Sequence, residues 1–228
     1  MALEIKHVAD LMGMHFRIPS YQRGYRWERK HIVRLLDDLL EYSNNLKEAI
    51  KKDRGTSTRI NEDSMGFFCL QPLAITPIDI NGETIYDVID GQQRLTTIFL
   101  ILHYFINNNR NNFPYDGDEK LDDKMYLLTY EIQRNSSINE IVTGEKAGWQ
   151  NHIDSYFIFK GYKIIEEWFK NHNNGAQSLH KLLLPSDYDA VQSDENDKAL
   201  HDVRFIWYEV NSLPTSTQSS INSITIFN

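Results

Sequence analysis

The sequence predicts a mixed α/β domain: a small mixed sheet with flanking helices and a mainly helical C-terminal remainder. Three observations carry that expectation. Apolar residues recur at helical spacing at Ile32, Leu35, Leu36, Leu39 and Leu40. Two apolar runs of strand length are separated by Asn81-Gly82, a pair that readily accepts the positive φ of a tight hairpin turn. The second run passes through Gly91 into 95–106, an almost continuously apolar stretch of helix length, which marks a helix buried on most of its circumference.

The elements follow in order. Phe16-Arg17-Ile18-Pro19 reads as extended, because Pro19 disfavours helical dihedrals at Ile18. The first helix starts near Glu28 and gives way to a polar surface loop over 51–63. A strand over 65–75 comes next and holds Cys69 as a small buried hydrophobe; the turn and a returning strand over 84–89 complete the hairpin. The Asn- and Asp-rich stretch 107–123 is a loop, 125–130 a further strand, and 153–169 a second helix with Gly175 as its C-terminal stop. Residues 203–210 read as another strand, and the Ser/Thr-rich 214–223 as a linker ahead of the apolar Ile224-Thr225-Ile226-Phe227. The expected organisation is a core over 1–123, a mainly helical extension of the same domain over 124–210, and a linker with the truncated start of a further block over 211–228.

Composition excludes several classes. With 24 Lys+Arg against 32 Asp+Glu, the net charge of −8 argues against a general polyanion-coating protein and leaves room for a local basic patch. A single cysteine rules out a disulfide framework and a cysteine-based zinc site. The first residues have no signal-peptide core, and no run of about 18 apolar residues exists to span a bilayer, so a cytoplasmic protein without a membrane partner is expected. The eight histidines show neither H-x-x-x-H nor H-E-x-x-H spacing, so no metal site is supported by motif. The Walker-type phosphate loop is absent. Lys170-Asn171-His172-Asn173-Asn174 superficially suggests a nuclease motif, but one histidine in a polar loop reads as a turn.

The most informative segment is Val88-Ile89-Asp90-Gly91-Gln92-Gln93-Arg94-Leu95-Thr96-Thr97, a strand, a glycine turn and a helix. N–H groups at such a helix start lack intrahelical partners, the helix dipole favours an anion there, and glycine lets a phosphate come close to the backbone. A purely structural alternative exists: Asp90 as N-cap with Gln93 three residues later is a capping box. Capping leaves Arg94 unexplained, since a cation in the first helical turn opposes the dipole by roughly 0.3–1 kcal/mol. On local physics alone the two readings stand equal.

A second segment, 17–30, interleaves Arg17, Arg23, Arg26, Arg29 and Lys30 with Tyr21, Tyr25 and Trp27. Arginine makes forked hydrogen bonds to phosphate and aromatic rings stack on bases. Composition by itself favours an ordinary solvated helix start with the aromatics packed underneath.

Ile18-Pro19-Ser20-Tyr21-Gln22-Arg23-Gly24-Tyr25-Arg26-Trp27, followed by Val88-Ile89-Asp90-Gly91-Gln92-Gln93-Arg94-Leu95-Thr96-Thr97, resembles the N-terminal domain of GmrSD-type modification-dependent restriction endonucleases, itself similar to the ParB/sulfiredoxin-like superfamily. Weaker matches continue through Tyr130-Glu131 with Ser136 (where Gln133 stands at the expected arginine and Arg134 follows), His152-Ile153-Asp154-Ser155-Tyr156, Phe205-Ile206-Trp207-Tyr208, and Ile226-Phe227-Asn228 as the opening of a further block.

The resemblance implies a nucleotide-binding and hydrolysing domain that regulates restriction of modified phage or foreign DNA, with cleavage left to a separate C-terminal His-Asn-His nuclease domain. It implies phosphate contacts from Gln22, Arg23, Gly91, Gln92, Gln93 and Arg94, and catalytic roles for Asp90, Gln92, Gln93 and Arg23. Arg26, Tyr25 and Trp27 are the candidates for DNA or base contacts. The expected cofactor is a nucleoside triphosphate; Mg²⁺ would relieve the repulsion between Asp90 and a phosphate. The expected partners are nucleotide, modified DNA and the nuclease domain. The rival reading is a non-hydrolysing ParB-like module that binds DNA or senses its modification.

Overall fold

The computed structural model describes residues 2–53, 66–108, 125–131, 138–143, 152–184 and 202–210. Strand β1 (Ala2–His7), a short 3-10 turn (Ala9–Leu11) and β2 (His15–Ile18) precede α1 (Arg29–Asp53). Then come β3 (Phe68–Ile80), β4 (Glu83–Asp90), α2 (Gln92–Asn108), β5 (Leu127–Tyr130), α3 (Ile138–Thr143), α4 (Ile153–Asn171), α5 (Gly175–Leu183) and β6 (Val203–Glu209). The mixed α/β class is as the sequence predicts.

The strands form one six-stranded sheet in the order β1-β6-β3-β4-β2-β5. The sheet is mixed, with β6/β3, β4/β2 and β2/β5 parallel and β1/β6 and β3/β4 antiparallel. Both β5 and β6 come from the stretch expected to be mainly helical, and β6 sits inside the sheet between β1 and β3. One sheet face is apolar: Phe16 and Ile18 of β2, Leu128 and Tyr130 of β5, and Phe205 and Trp207 of β6 are all buried by strand alternation. The helical layer covers this face. Phe99 of α2 meets Tyr126 edge-on at 5.5 Å, and Tyr126 in turn meets Phe16 at 5.5 Å.

Helix α2 has the environment its composition demands, with every residue from Leu95 to Ile106 buried. Helix α1 buries Ile32, Leu35, Leu36 and Leu39 and extends to Asp53, into the expected loop. The hairpin turn is as expected: Asn81 and Gly82 have φ of 57° and 86°, and the Gly82 N–H donates to Asp79 Oδ1 at 3.0 Å. Strand β3 runs on through Pro77 to Ile80. A proline is tolerated there because pairing with β6 ends at Ile75, leaving that side of the strand open.

Two local expectations are corrected. Cys69 is exposed, since Leu70 beside it takes the inward position. Gly175 does not stop α4. Asn174 takes the left-handed conformation at φ 64°, and Gly175 opens α5, where a β-carbon would lie 3.1 Å from the Trp168 ring. The weaker motif matches at Gln133, Arg134 and Ser136, and the whole of 211–228, lie outside the described residues.

Candidate functional site

The junction between β4 and α2 is built around Gly91. Its φ is 93°, and a β-carbon there would stand 2.9 Å from Pro72 O and 3.0 Å from Leu73 Cδ1 of β3. Glycine is therefore required twice, by backbone sign and by the close approach of β3. The close neighbour is protein backbone, where the sequence had suggested a phosphate. The first helical bond runs from Leu95 N–H to Gly91 O at 3.0 Å, so Gly91 is the N-cap and the alternative capping box between Asp90 and Gln93 does not form. Asp90 accepts from the Gly91 N–H at 2.8 Å. The N–H groups of Gln92, Gln93 and Arg94 have no partner among the described residues.

The N-terminal motif docks directly on this junction. Gln22 donates to Ile89 O at 2.9 Å and accepts from Gln92 Nε2 at 3.5 Å. The Gln93 side chain accepts from Arg26 N–H at 2.8 Å and donates to Gly24 O at 3.0 Å. Ser20 N–H reaches Glu131 Oε2 at 2.7 Å, and Gln22 N–H closes a turn on Pro19 O at 3.0 Å. Gln22, Asp90, Gly91, Gln92, Gln93 and Arg94 thus converge, with Arg23 next in the chain and exposed.

The remaining motif residues hold the two segments together. Tyr25 is fully buried, with its hydroxyl 2.9 Å from Thr97 Oγ1, and burial pushes its phenol far above the ordinary range. Tyr130 makes the matching contact with Thr96 at 2.6 Å, and Tyr126 donates to Leu95 O at 2.7 Å. The Leu95-Thr96-Thr97 part of the second motif is therefore an anchor for three tyrosines. Arg26 donates to Tyr25 O at 2.6 Å, pairs with the buried Asp154 of α4 and lies over the Phe157 ring. Gly24 leaves the space that the Asp154 carboxylate fills. Trp27 is partly buried against the core and stacks on His31. Of the three candidates for base contacts, Tyr25 and Arg26 are thus committed to internal partners. The exposed aromatic of this segment is Tyr21.

The arginines divide sharply. Arg17, Arg26, Arg29, Arg34 and Arg204 each lie within ion-pair distance of a carboxylate. Among the described residues, Arg23 and Arg94 do not; these are the arginines of the two Gln-Arg motifs. Arg94 instead donates to the side-chain carbonyl of Gln71. Partial burial lowers the Arg94 pKa, and nearby Asp90 opposes that shift. Gln71 itself has φ 71° where the β3–β6 register shifts, a left-handed conformation that costs a non-glycine residue about 1–2 kcal/mol. Sequence reading missed Gln71, although a lone amide in the apolar run between Leu70 and Ile75 was a signal for it.

A family model for the GmrSD restriction endonuclease N-terminal domain matches residues 5–228. The chain belongs to that family. No curated protein matches it. This GmrSD N-terminal domain carries no cluster of three or more His, Cys, Asp or Glu that could hold a metal ion among its described residues. No described helix is long and apolar enough to cross a membrane. The family makes the protein a component of a DNA restriction system.

Proposed function

We propose that this GmrSD N-terminal domain binds and hydrolyses a nucleoside triphosphate, and so regulates an attached nuclease that acts on modified DNA. The observation that carries this reading is the pair of guanidinium groups without carboxylate partners among the described residues, Arg23 and Arg94, on two segments joined through Gln22 and Gln93. A cation in the first turn of a helix is unfavourable, and a bound oxyanion reverses the sign of that interaction. The N–H groups of Gln92, Gln93 and Arg94 supply the remaining phosphate donors.

In this reading Arg94 and the helix amides hold the phosphates, and Arg23 neutralises charge developing on the transferred phosphoryl group. Gln92 orients the attacking water, because the Gln93 amide is already engaged by Arg26 and Gly24. Asp90 is exposed and is the carboxylate the chain offers beside the phosphates. Magnesium carried in on a nucleotide commonly needs no more than one or two protein carboxylates, so Asp90 fits it; the ion would supply charge neutralisation. The rival, a DNA-reading sensor, needs free arginines and aromatics along 17–30, and Arg17, Arg26, Arg29 and Tyr25 all have internal partners.

The test is a melting-temperature screen against a nucleotide panel with Mg²⁺, followed by turnover with and without modified DNA. A saturable rise with one triphosphate, and phosphate release, are expected. Binding without turnover favours the sensor, and no shift with any nucleotide overturns both the phosphate site and the hydrolysis.

A further inference from the structure

Arg17, Arg26, Arg29 and Arg204 are each oriented by a carboxylate at hydrogen-bond distance, which also offsets the charge. Arg94 is oriented differently, by the neutral side-chain carbonyl of Gln71. A carboxylate at that position would hold the guanidinium as well but would compete with any anion for it. A neutral acceptor takes one of the five N–H donors and leaves the positive charge available. The backbone supports this arrangement. Gln71 lies where β3 shifts register against β6 between Cys69 and Pro72, with φ 71°. The next residue, Pro72, places its carbonyl against Gly91. One irregularity of β3 therefore both seats the α2 N-terminus and aims an amide at Arg94. Strain at a non-glycine residue beside such a site is an observation from which function is inferred.

We propose that Gln71 is a positioning residue for oxyanion recognition: from the β3 bulge it holds the Arg94 guanidinium at the start of α2 while leaving its charge intact for phosphate oxygens. The oxyanion part rests on the phosphate-binding reading above; the holding of Arg94 does not.

The experiment uses the full chain and the variants Gln71→Gly and Gln71→Glu. The Arg94 Nε–Hε resonance, assigned by its loss in Arg94→Lys, is followed by ¹⁵N NMR, and affinity for Mg·ATP and for inorganic triphosphate is measured by calorimetry. In Gln71→Gly the Arg94 resonance moves toward that of a free, mobile guanidinium and affinity falls roughly fivefold to tenfold. The melting temperature of this variant holds or rises, because glycine relieves the left-handed strain. In Gln71→Glu the resonance stays ordered while affinity falls at least as far, because the charge is now cancelled. An Arg94 resonance unchanged in Gln71→Gly, or wild-type affinity in both folded variants, overturns the proposal. If the wild-type protein binds neither phosphate compound, the phosphate reading and the oxyanion part of the proposal fall together, and the NMR comparison alone decides whether Gln71 holds Arg94.

Discussion

The side-chain carbonyl of Gln93 accepts the backbone N–H of Arg26 at 2.8 Å, while its amide donates to Gly24 O at 3.0 Å. One side chain at the start of α2 thereby replaces a strand partner for the N-terminal motif. Gln93→Ala leaves both backbone groups unpaired in a part-buried setting and should destabilise the fold by about 2 kcal/mol. Gln92→Ala, whose side-chain hydrogen bond among the described residues is a long one of 3.5 Å to Gln22, should change stability by less than about 0.5 kcal/mol. Urea midpoints at constant slope separate the two. Equal effects would show that Gln93 is not the clamp.

Arg94→Ala and Arg23→Ala should leave the urea midpoint nearly unchanged, since neither arginine has a carboxylate partner among the described residues. Each lost charge-assisted phosphate contact should weaken nucleotide binding by about 1.5–3 kcal/mol, or roughly tenfold to a hundredfold by calorimetry. Asp90→Ala removes the acceptor of the Gly91 N–H, at a cost of about 1 kcal/mol in stability, and should impair turnover more than binding. Normal binding by a destabilised Arg94→Ala would mark the junction as purely structural.

The pair between Arg26 and Asp154 is nearly buried, with side-chain exposures of 20% and 8%. Asp154→Ala strands a guanidinium in the interior and should cost about 3 kcal/mol of stability. Gly24→Ala should be destabilising for a different reason, since its methyl group meets the Asp154 carboxylate. In the double variant the methyl no longer meets that group, so the two effects should fall short of additive in a double-mutant cycle. Simple additivity would argue against the contact.

His180 on α5 is buried edge-on to Phe105, and burial lowers its pKa from 6.5 to about 4. Between those values the unfolded chain binds a proton that the folded domain refuses. Stability should therefore fall as pH drops from about 6.5 towards 4, by up to about 3 kcal/mol from this group. Protonation of the folded state itself begins only near the lower value. Replacing His180 with Gln should flatten that acid limb in urea titrations across the window, and an unchanged limb would assign the loss to other groups.

Helix α2, the Asn81-Gly82 hairpin and strands β2, β5 and β6 were legible in the sequence because hydrophobic period and turn chemistry are local properties of a few neighbouring residues. The convergence of the two motifs could be expected only through a family resemblance, and the local capping alternative had no internal contradiction. What decided between them was long-range. Leu95 N–H bonds Gly91, Gln93 reaches back to residues 24 and 26, and Pro72 closes on Gly91 from a strand nineteen positions earlier in the chain. The roles of Tyr25, Thr96 and Thr97 were invisible for the same reason, since a hydroxyl's partner is fixed by packing between elements and leaves no periodic trace. Those elements, the two motifs and the likeness to the family were thus readable from local sequence, whereas β1, α3 and α5 were not. Strand order, the exposure of Cys69 and the pairing of Arg94 with Gln71 were decided by the tertiary structure, because each depends on which distant backbone a strand lies beside.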